Sequence, residues 1–141
     1  MDLELILEGA AFTLYGILVG EGVGAFLKRL REEAPAEYAR MDRRLTQLAE
    51  RGPSRHRDEF NDFGDGLFEM KSRGGTRIVF FYDAGRLVIC TQGFAKKSQK
   101  TPQRELAVAR ARKADYERVR QHHGHFRIIV TDQQKEPERK P

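Results

Sequence analysis

The sequence has a single cysteine, no tryptophan and five prolines among its 141 residues. One cysteine excludes an internal disulfide framework, and Cys90 ends the apolar run Leu87–Cys90, which predicts a buried thiol suited to a reducing cytosol. No apolar run is long enough to span a bilayer, and Asp2 and Glu4 stand where an export signal would carry basic residues. We therefore expect a cytoplasmic protein with no membrane partner.

Several motifs that carry chemistry are also missing. The chain has no Walker loop, no Rossmann glycine fingerprint, no paired CxxC and no HExxH. The histidine-rich run His122–His125 lacks cysteine or carboxylate ligands at a recognisable spacing, so an incidental or structural role is favoured over metal binding. The sequence thus predicts neither a cofactor nor a metal site.

Positive charge is present and unevenly distributed. The whole chain carries a net charge of +5, whereas residues 94–120 alone hold nine Lys or Arg against three Asp or Glu. A local basic surface on a nearly neutral body is typical of a nucleic-acid partner, although an acidic protein would select the same feature. The length suits one compact domain, which we place at residues 1–121, followed by a tail at 122–141 that is β-prone at its start and then disordered.

The first half of the chain predicts a strand pair and two helices. Residues 3–7 alternate apolar with acidic positions, and a second apolar run covers residues 12–19. This pattern favours an opening hairpin or a bent strand. Apolar residues then recur at helical spacing in two series, Val23, Phe26, Leu27 and Leu30, and Tyr38, Met41, Leu45 and Leu48. The second series ends at Gly52-Pro53, and residues 54–65 are predicted to form a loop.

The second half predicts a meander and a final helix. Strands are expected at Leu67–Lys71, Arg77–Tyr82 and Leu87–Phe94, with Glu69 and Lys71 on one face of the first. Thr101 is the predicted N-cap and Pro102 the first helical residue. The helix should extend to about Gln121 and pack through a stripe of four residues, Leu106, Ala107, Ala111 and Ala114.

The junction before this helix packs three lysines, Lys96, Lys97 and Lys100, between a strand end and a helix start. Lysines there can reach a polyanion while the helix N-terminus adds backbone donors and a positive dipole end. A solvated basic turn is the alternative, because short basic runs are common on protein surfaces.

The element order and three sequence words give a resemblance. The words are Gly64-Asp65-Gly66-Leu67-Phe68-Glu69, Arg77-Ile78-Val79-Phe80-Phe81-Tyr82 and Phe94-Ala95-Lys96-Lys97-Ser98-Gln99-Lys100-Thr101-Pro102, followed by a helix with Asp115-Tyr116. Together they resemble the RelE/HigB toxin superfamily, in its phage-derived HigB-like branch, over about residues 3–120. The resemblance implies an α+β, RelE-like fold with N-terminal helices on one face of a small, mainly antiparallel sheet, then a C-terminal helix and an open RNA cleft on the other face.

The resemblance also implies a function and partners. The protein would be the toxin of a type II toxin-antitoxin pair, cutting messenger RNA in the ribosomal decoding site by metal-independent attack of a ribose 2′-hydroxyl. Such transesterification needs a proton acceptor, cations that stabilise the phosphorane, and a proton donor for the leaving oxygen. The expected partners are the ribosome and a helix-turn-helix, HigA-like antitoxin; the tail could add a strand to a sheet edge, mediate a homodimer or occupy the antitoxin site.

The resemblance places site residues on this chain. Arg77 matches an arginine that contacts the scissile phosphate, with Lys71 and Arg73 before it and Glu69 as a candidate base. The residues expected to bind RNA are Lys96, Lys97, Lys100, Gln92 and Arg104, with Lys97 also a catalytic candidate. Lys71 and Glu69 could instead form a plain ion pair.

The sequence departs from the pattern at Gln92, where HigB-like relatives often carry a histidine. Glutamine cannot exchange a proton at neutral pH, so another group, with Tyr116 a candidate, would have to do so, or the protein is inactive. Two other functions therefore stay open: a noncatalytic, ParE-like gyrase inhibitor and a degenerate phage interaction module.

Overall fold

The computed structural model describes residues 1–95 and 100–130. This part of the chain forms an α+β fold in which one mixed sheet of seven strands packs with three helices. In chain order the elements are β1 (Asp2–Glu8), β2 (Thr13–Ile17), α1 (Gly22–Glu33), α2 (Pro35–Arg51), β3 (Phe60–Asp62), β4 (Phe68–Lys71), β5 (Thr76–Asp83), β6 (Leu87–Ala95), α3 (Gln103–Gln121) and β7 (Arg127–Ile129). The predicted class, opening hairpin, two helices, meander and last helix are confirmed.

The sheet is larger than the small sheet predicted. Its order is β3-β4-β5-β6-β2-β1-β7, with β2 parallel to β6 and β1 parallel to β7, and the other four pairs antiparallel. Strand β3 was not predicted, because it lies within the expected loop 54–65, whereas β7 confirms that the β-prone start of the tail can add a strand to a sheet edge.

Helices cover both faces of the sheet, which corrects the prediction of one open face. Alternate residues of the central strands point to opposite sides, so Ile78 and Phe80 join the core under α1 and α2, while Val79 and Phe81 join the core under α3. The first core also contains Leu14, Val23, Phe26, Met41, Leu45, Leu48, Met70, Val88 and Cys90, and the second also contains Leu3, Ile17, Leu67, Ile89, Ala109 and Tyr116.

Helix α3 packs through a different stripe from the one predicted. Leu106 is buried as expected, but its partners are Ala109 and Tyr116, and the other three predicted positions, Ala107, Ala111 and Ala114, are exposed. The predicted helix start is also wrong in detail, since Pro102 occupies the N-cap position and Thr101 precedes it without a capping bond.

A buried carboxylate fixes the start of α1. Glu4 on β1 is 3% exposed, and its Oε1 accepts a hydrogen bond of 2.7 Å from the backbone N–H of Gly24. A Cβ on Gly24 would lie 2.5 Å from the other oxygen of Glu4, so only glycine leaves room for this contact. The strand therefore supplies the cap that α1 lacks locally, and the negative charge lies at the favourable end of the helix dipole.

The first part of the tail returns to the sheet. β7 pairs with β1, the amino group of Met1 donates to the carbonyl of His125, and Arg127 forms a two-pronged ion pair with Asp2. None of the helices in the described residues combines the length and apolar composition needed to cross a membrane.

Candidate functional site

Most of the predicted site residues that the structure describes meet at one end of the sheet, which we call the basic end. It is formed by the end of β4, the β4–β5 turn, the start of β5, the end of β6 and the start of α3, and it carries Lys71, Arg73, Arg77, Lys100 and Arg104. Arg73, Lys100 and Arg104 are exposed, whereas Lys71 is half-buried. Lys96 and Lys97 lie outside the described residues.

Arg77 is buried, whereas the phosphate contact that the resemblance implies for it would need an accessible guanidinium. Only 6% of it is exposed, and its NH1 donates to the carbonyls of Ser72 at 3.3 Å and Thr76 at 3.2 Å. Burial lowers the pKa of its guanidinium, and the Glu69 and Glu37 carboxylates oppose that shift. Its Nε is buried without a hydrogen-bond partner among the described residues.

Glu69 lies on the same sheet face as Arg77 and is 2% exposed. Its Oε2 accepts a 2.7 Å hydrogen bond from the hydroxyl of Thr101, the residue just before α3. Glu69 therefore ties the start of α3 to the sheet. It makes no ion pair with Lys71, although the two share a face as predicted.

The turn that carries Arg73 is held by helix α2. The hydroxyl of Ser72 donates to a carboxylate oxygen of Glu37, in the first turn of α2, and the same carboxylate pairs with Arg40. A Cβ on Gly74 would collide with that carboxylate, so the turn can approach α2 this closely only with glycine there. Because the backbone carbonyl of Ser72 also accepts a hydrogen bond from Arg77, the turn helps to hold the guanidinium in place.

A β-bulge aims Gln92 at α3. In the β5–β6 ladder Val79 pairs with Gln92 and Phe80 with Cys90, so Thr91 is an extra residue in β6. The bulge shifts the alternation by one, and the Nε2 of Gln92 donates to the carbonyl and Oε1 of Glu105 at 2.8 and 3.2 Å. Because both partners are acceptors, the amide orientation is set, and the Gln92 Oε1 is left buried without a partner in the described residues.

A cleft of about 280 Å³ opens beside Gln92, between α1 and α3. It is lined by Val19, Glu21, Gly22, Phe26, Gln92, Gly93, Glu105, Val108 and Arg112. Gly93 forms its floor, where a Cβ would lie 2.5 Å from the ring of Phe26. The cleft adjoins the basic end because both contain the last residues of β6.

Tyr116 lies far from this end. Its hydroxyl donates to Asp83 Oδ2 at 2.5 Å, and Asp83 also pairs with Arg120. Asp83 and Arg77 are six residues apart on one strand, which is about 20 Å at ~3.3 Å per residue. Tyr116 therefore serves packing and is not the proton donor for a reaction at Arg77.

The structure thus brings Glu69, Lys71, Arg77 and Gln92 to one sheet face and places Arg73, Lys100 and Arg104 around them. Sequence reasoning missed Thr101, Glu105, Glu37 and Arg112 as members of this region. Glu105 and Arg112 lie seven residues apart on α3 with Val108 between them, a spacing that marks one helix face and could have been read from the sequence. Among the described residues, no group of three His, Cys, Asp or Glu is placed to hold a metal ion.

Comparison with known proteins gives one family. A family model described as "Phage derived protein Gp49-like (DUF891)" matches residues 26–114, which are 89 of the 141 residues. This family is associated with RelE-like and toxin-like proteins. The match runs from within α1 to within α3 and so includes the meander and the basic end. A search of curated proteins finds no match.

Proposed function

The chain belongs to the phage-derived Gp49-like family, and from that premise we propose that it is the toxin of a type II toxin-antitoxin pair that cuts messenger RNA on the ribosome. The observation that carries the proposal is the basic end, where exposed cations surround a buried arginine and a buried carboxylate on one face of the sheet. The reaction would be attack of a ribose 2′-hydroxyl on the adjacent phosphate, which breaks the bond to the 5′-oxygen. The products would be a 2′,3′-cyclic phosphate and a 5′-hydroxyl end, with the proton for the departing oxygen supplied by water.

The exposed cations supply the first requirement, which is binding of the RNA backbone. Arg73 and Arg104 make no hydrogen bond or ion pair with the described residues, so their guanidinium groups are available to phosphate oxygens. Arginine forms paired hydrogen bonds with phosphate, and the contact does not depend on the base sequence. These two residues are therefore proposed to position the strand over Arg77.

The groups below them supply the chemistry. Arg77 is the cation proposed to stabilise the negative charge on the phosphorane. Because Arg77 is buried, its low-dielectric surroundings strengthen its electrostatic field. Glu69 is the proposed acceptor of the 2′-hydroxyl proton. Since Thr101 donates to Oε2 of Glu69, substrate would have to replace this hydrogen bond or use the other carboxylate oxygen.

The test is to induce the protein in a bacterial host and to map new 5′-hydroxyl ends on transcripts. Arg104→Ala should lower cutting about tenfold, the effect of losing one charge-assisted hydrogen bond of ~1.5 kcal/mol. Arg118→Ala is the matched control, because Arg118 is an exposed arginine about 21 Å along the same helix at ~1.5 Å per residue. Equal cutting by both variants, or no new ends from folded wild-type protein, would reject the proposal.

The proposed partner in the pair is an antitoxin that neutralises the toxin by covering the basic end. A concentrated positive surface favours an acidic segment as its ligand and speeds its association. A neighbouring reading frame for a small helix-turn-helix protein, whose product protects Arg73 and Arg104 from chemical modification, would support this arrangement.

The burial of Arg77 favours a second candidate, a noncatalytic toxin. A guanidinium that is 6% exposed and bonded to two backbone carbonyls can be purely structural. In that case the exposed cations would bind a protein target such as DNA gyrase without bond cleavage. Growth arrest without new transcript ends, accompanied by inhibited DNA supercoiling in vitro, would select this candidate.

A further inference from the structure

The cleft between α1 and α3 exists because one edge of β6 is uncovered. Strand β2 pairs with β6 only from Thr13 opposite Leu87 to Gly16 opposite Cys90, after which the chain turns away into α1. The remaining part of β6, residues 91–95, therefore has no neighbouring strand on that side among the residues that the structure describes. The space beside it is bounded by α1 on one face of the sheet and α3 on the other.

The cleft is lined by both apolar and polar side chains, and the apolar ones come from α1, α3 and the loop before α1. Phe26 from α1 lies against Gly93, and Val108 from α3 and Val19 from the loop before α1 contribute further apolar surface. Val19 and Val108 are 48% and 39% exposed, the kind of open apolar surface that gains by being covered. A volume of about 280 Å³ holds a ring system and excludes a folded peptide.

The polar groups of the cleft that keep unused hydrogen-bonding capacity are two acceptors and one guanidinium. The Gln92 Oε1 is buried without a partner, and the Oε2 of Glu105 receives no hydrogen bond from the described residues. Arg112 is a hydrogen-bond donor. Its NH1 donates to the Thr91 carbonyl at 2.9 Å, and the rest of its guanidinium makes no hydrogen bond with the described residues. A matching ligand would present two neighbouring donors and at least one acceptor.

We propose that this cleft is a nucleobase subsite that takes a guanine of the RNA. Of the four bases only guanine offers two adjacent donors, N1–H and N2–H, beside an acceptor, O6, on its pairing edge. Glu105 and Gln92 would accept from the donors, Arg112 would donate to O6, and the ring would lie between Phe26 and Val108. This inference rests on the proposed function, since it adds base selection to phosphate binding at the basic end.

The first experiment titrates the purified full chain with GMP, AMP, CMP and UMP and follows backbone amide shifts by NMR. All four carry the same phosphate, so differences between them report the base. GMP should move the amides of residues 91–95 and 105–112 in a saturable way and bind at least tenfold more tightly than the others. Equal affinity for the four nucleotides, or shifts confined to the basic end, would overturn the proposal.

A matched pair of variants tests the location. Val108→Trp fills the cleft from an exposed helix position and should abolish the GMP-specific shifts. Ala107→Trp adds the same ring at the adjacent exposed position, which does not line the cleft, and should leave them unchanged. Glu105→Gln should weaken GMP binding about tenfold while leaving AMP binding unchanged. GMP binding that survives Val108→Trp in a folded protein would contradict the assignment.

Transcript mapping separates this inference from the proposed function. If cut sites are enriched in guanine for the wild-type protein and lose that bias in Glu105→Gln, both hold. If transcripts are cut but GMP does not bind, the subsite is wrong and the nuclease stands. If GMP binds as described but no transcript is cut, the nuclease is wrong and the cleft is a guanine site with another role.

Discussion

At the scale of single residues, the position of Arg77 in the secondary structure could be predicted from the sequence, but its burial could not. The sequence placed it correctly at the start of a strand beside a turn, because Gly74-Gly75 and the apolar run after it mark both. Its burial could not be predicted, since α3 lies over the same sheet face and the Ser72 and Thr76 carbonyls bind its guanidinium. The alternation of side chains along a strand predicts which sheet face a residue lies on, but not which element covers that face.

Arg77→Ala should lower the free energy of unfolding by about 2 kcal/mol, because it removes two hydrogen bonds and leaves the Ser72 and Thr76 carbonyls without this donor. Urea denaturation followed by circular dichroism measures the loss, and Arg73→Ala, in the exposed turn, should change stability by less than about 0.5 kcal/mol. Equal stability of the two variants would mean that Arg77 is not held as described. This variant therefore needs a folding control before any loss of RNA cleavage is assigned to chemistry.

At the scale of elements, α3 was predicted with the right length and the wrong face. Alanine is a strong helix former that is tolerated on any side of a helix, so Ala107, Ala111 and Ala114 gave no directional information. The direction is set by Tyr116, whose hydroxyl reaches Asp83 and whose ring lies 5.2 Å from Phe81 and 4.8 Å from Phe126. The bulge at Thr91 was equally invisible, because strict alternation puts Gln92 on the same side as Cys90.

Tyr116→Phe should loosen the far end of α3 without affecting the basic end. The change removes one hydrogen bond to a carboxylate and keeps the aromatic contacts, so we expect a loss of about 1.5 kcal/mol in unfolding free energy. Transcript cutting should remain within twofold of wild type. A variant of normal stability that has lost cutting would instead restore Tyr116 as a proton donor.

At the scale of the whole molecule, the class and element order followed from periodicity and turn residues, while the size of the sheet and the covering of its second face did not. The parallel pairs β2–β6 and β1–β7 join strands separated by long stretches of chain, and neither pairing has a local sequence signal. The covered second face has the same cause, since a polar strand face with Glu69, Lys71 and Arg77 gave no sign that α3 would lie across it.

The whole fold should lose stability in alkali. Burial, with a lesser contribution from Glu4, raises the pKa of the Cys90 thiol from 9.0 to about 12. Burial also raises the pKa of Tyr116, with the hydrogen bond to Asp83 acting in the same direction, and that of Tyr82, where Asp62 adds to it. These groups stay protonated in the folded chain at pH values where the unfolded chain releases the protons. Stability is therefore fully present below pH 9 and falls as the pH rises from 9 towards 12.

Urea midpoints at pH 7.5, 9.0 and 10.5 measure this dependence. Cys90→Ala removes the first of the titrating groups and should flatten the fall between pH 9.0 and 10.0, whatever its effect at neutral pH. A wild-type midpoint that stays constant up to pH 10.5 would show that the thiol ionises freely in the folded protein.

The position of the opening hairpin in the sheet has a consequence for synthesis on the ribosome. β1 and β2 are translated long before their neighbours in the sheet, β6 and β7, which begin at residues 87 and 127. Until those strands are translated, both edges of the hairpin expose unpaired backbone groups beside apolar side chains. Pairings across such long stretches of chain also fold slowly. We therefore expect the nascent chain to present these edges to chaperones and proteases until β6 has been translated.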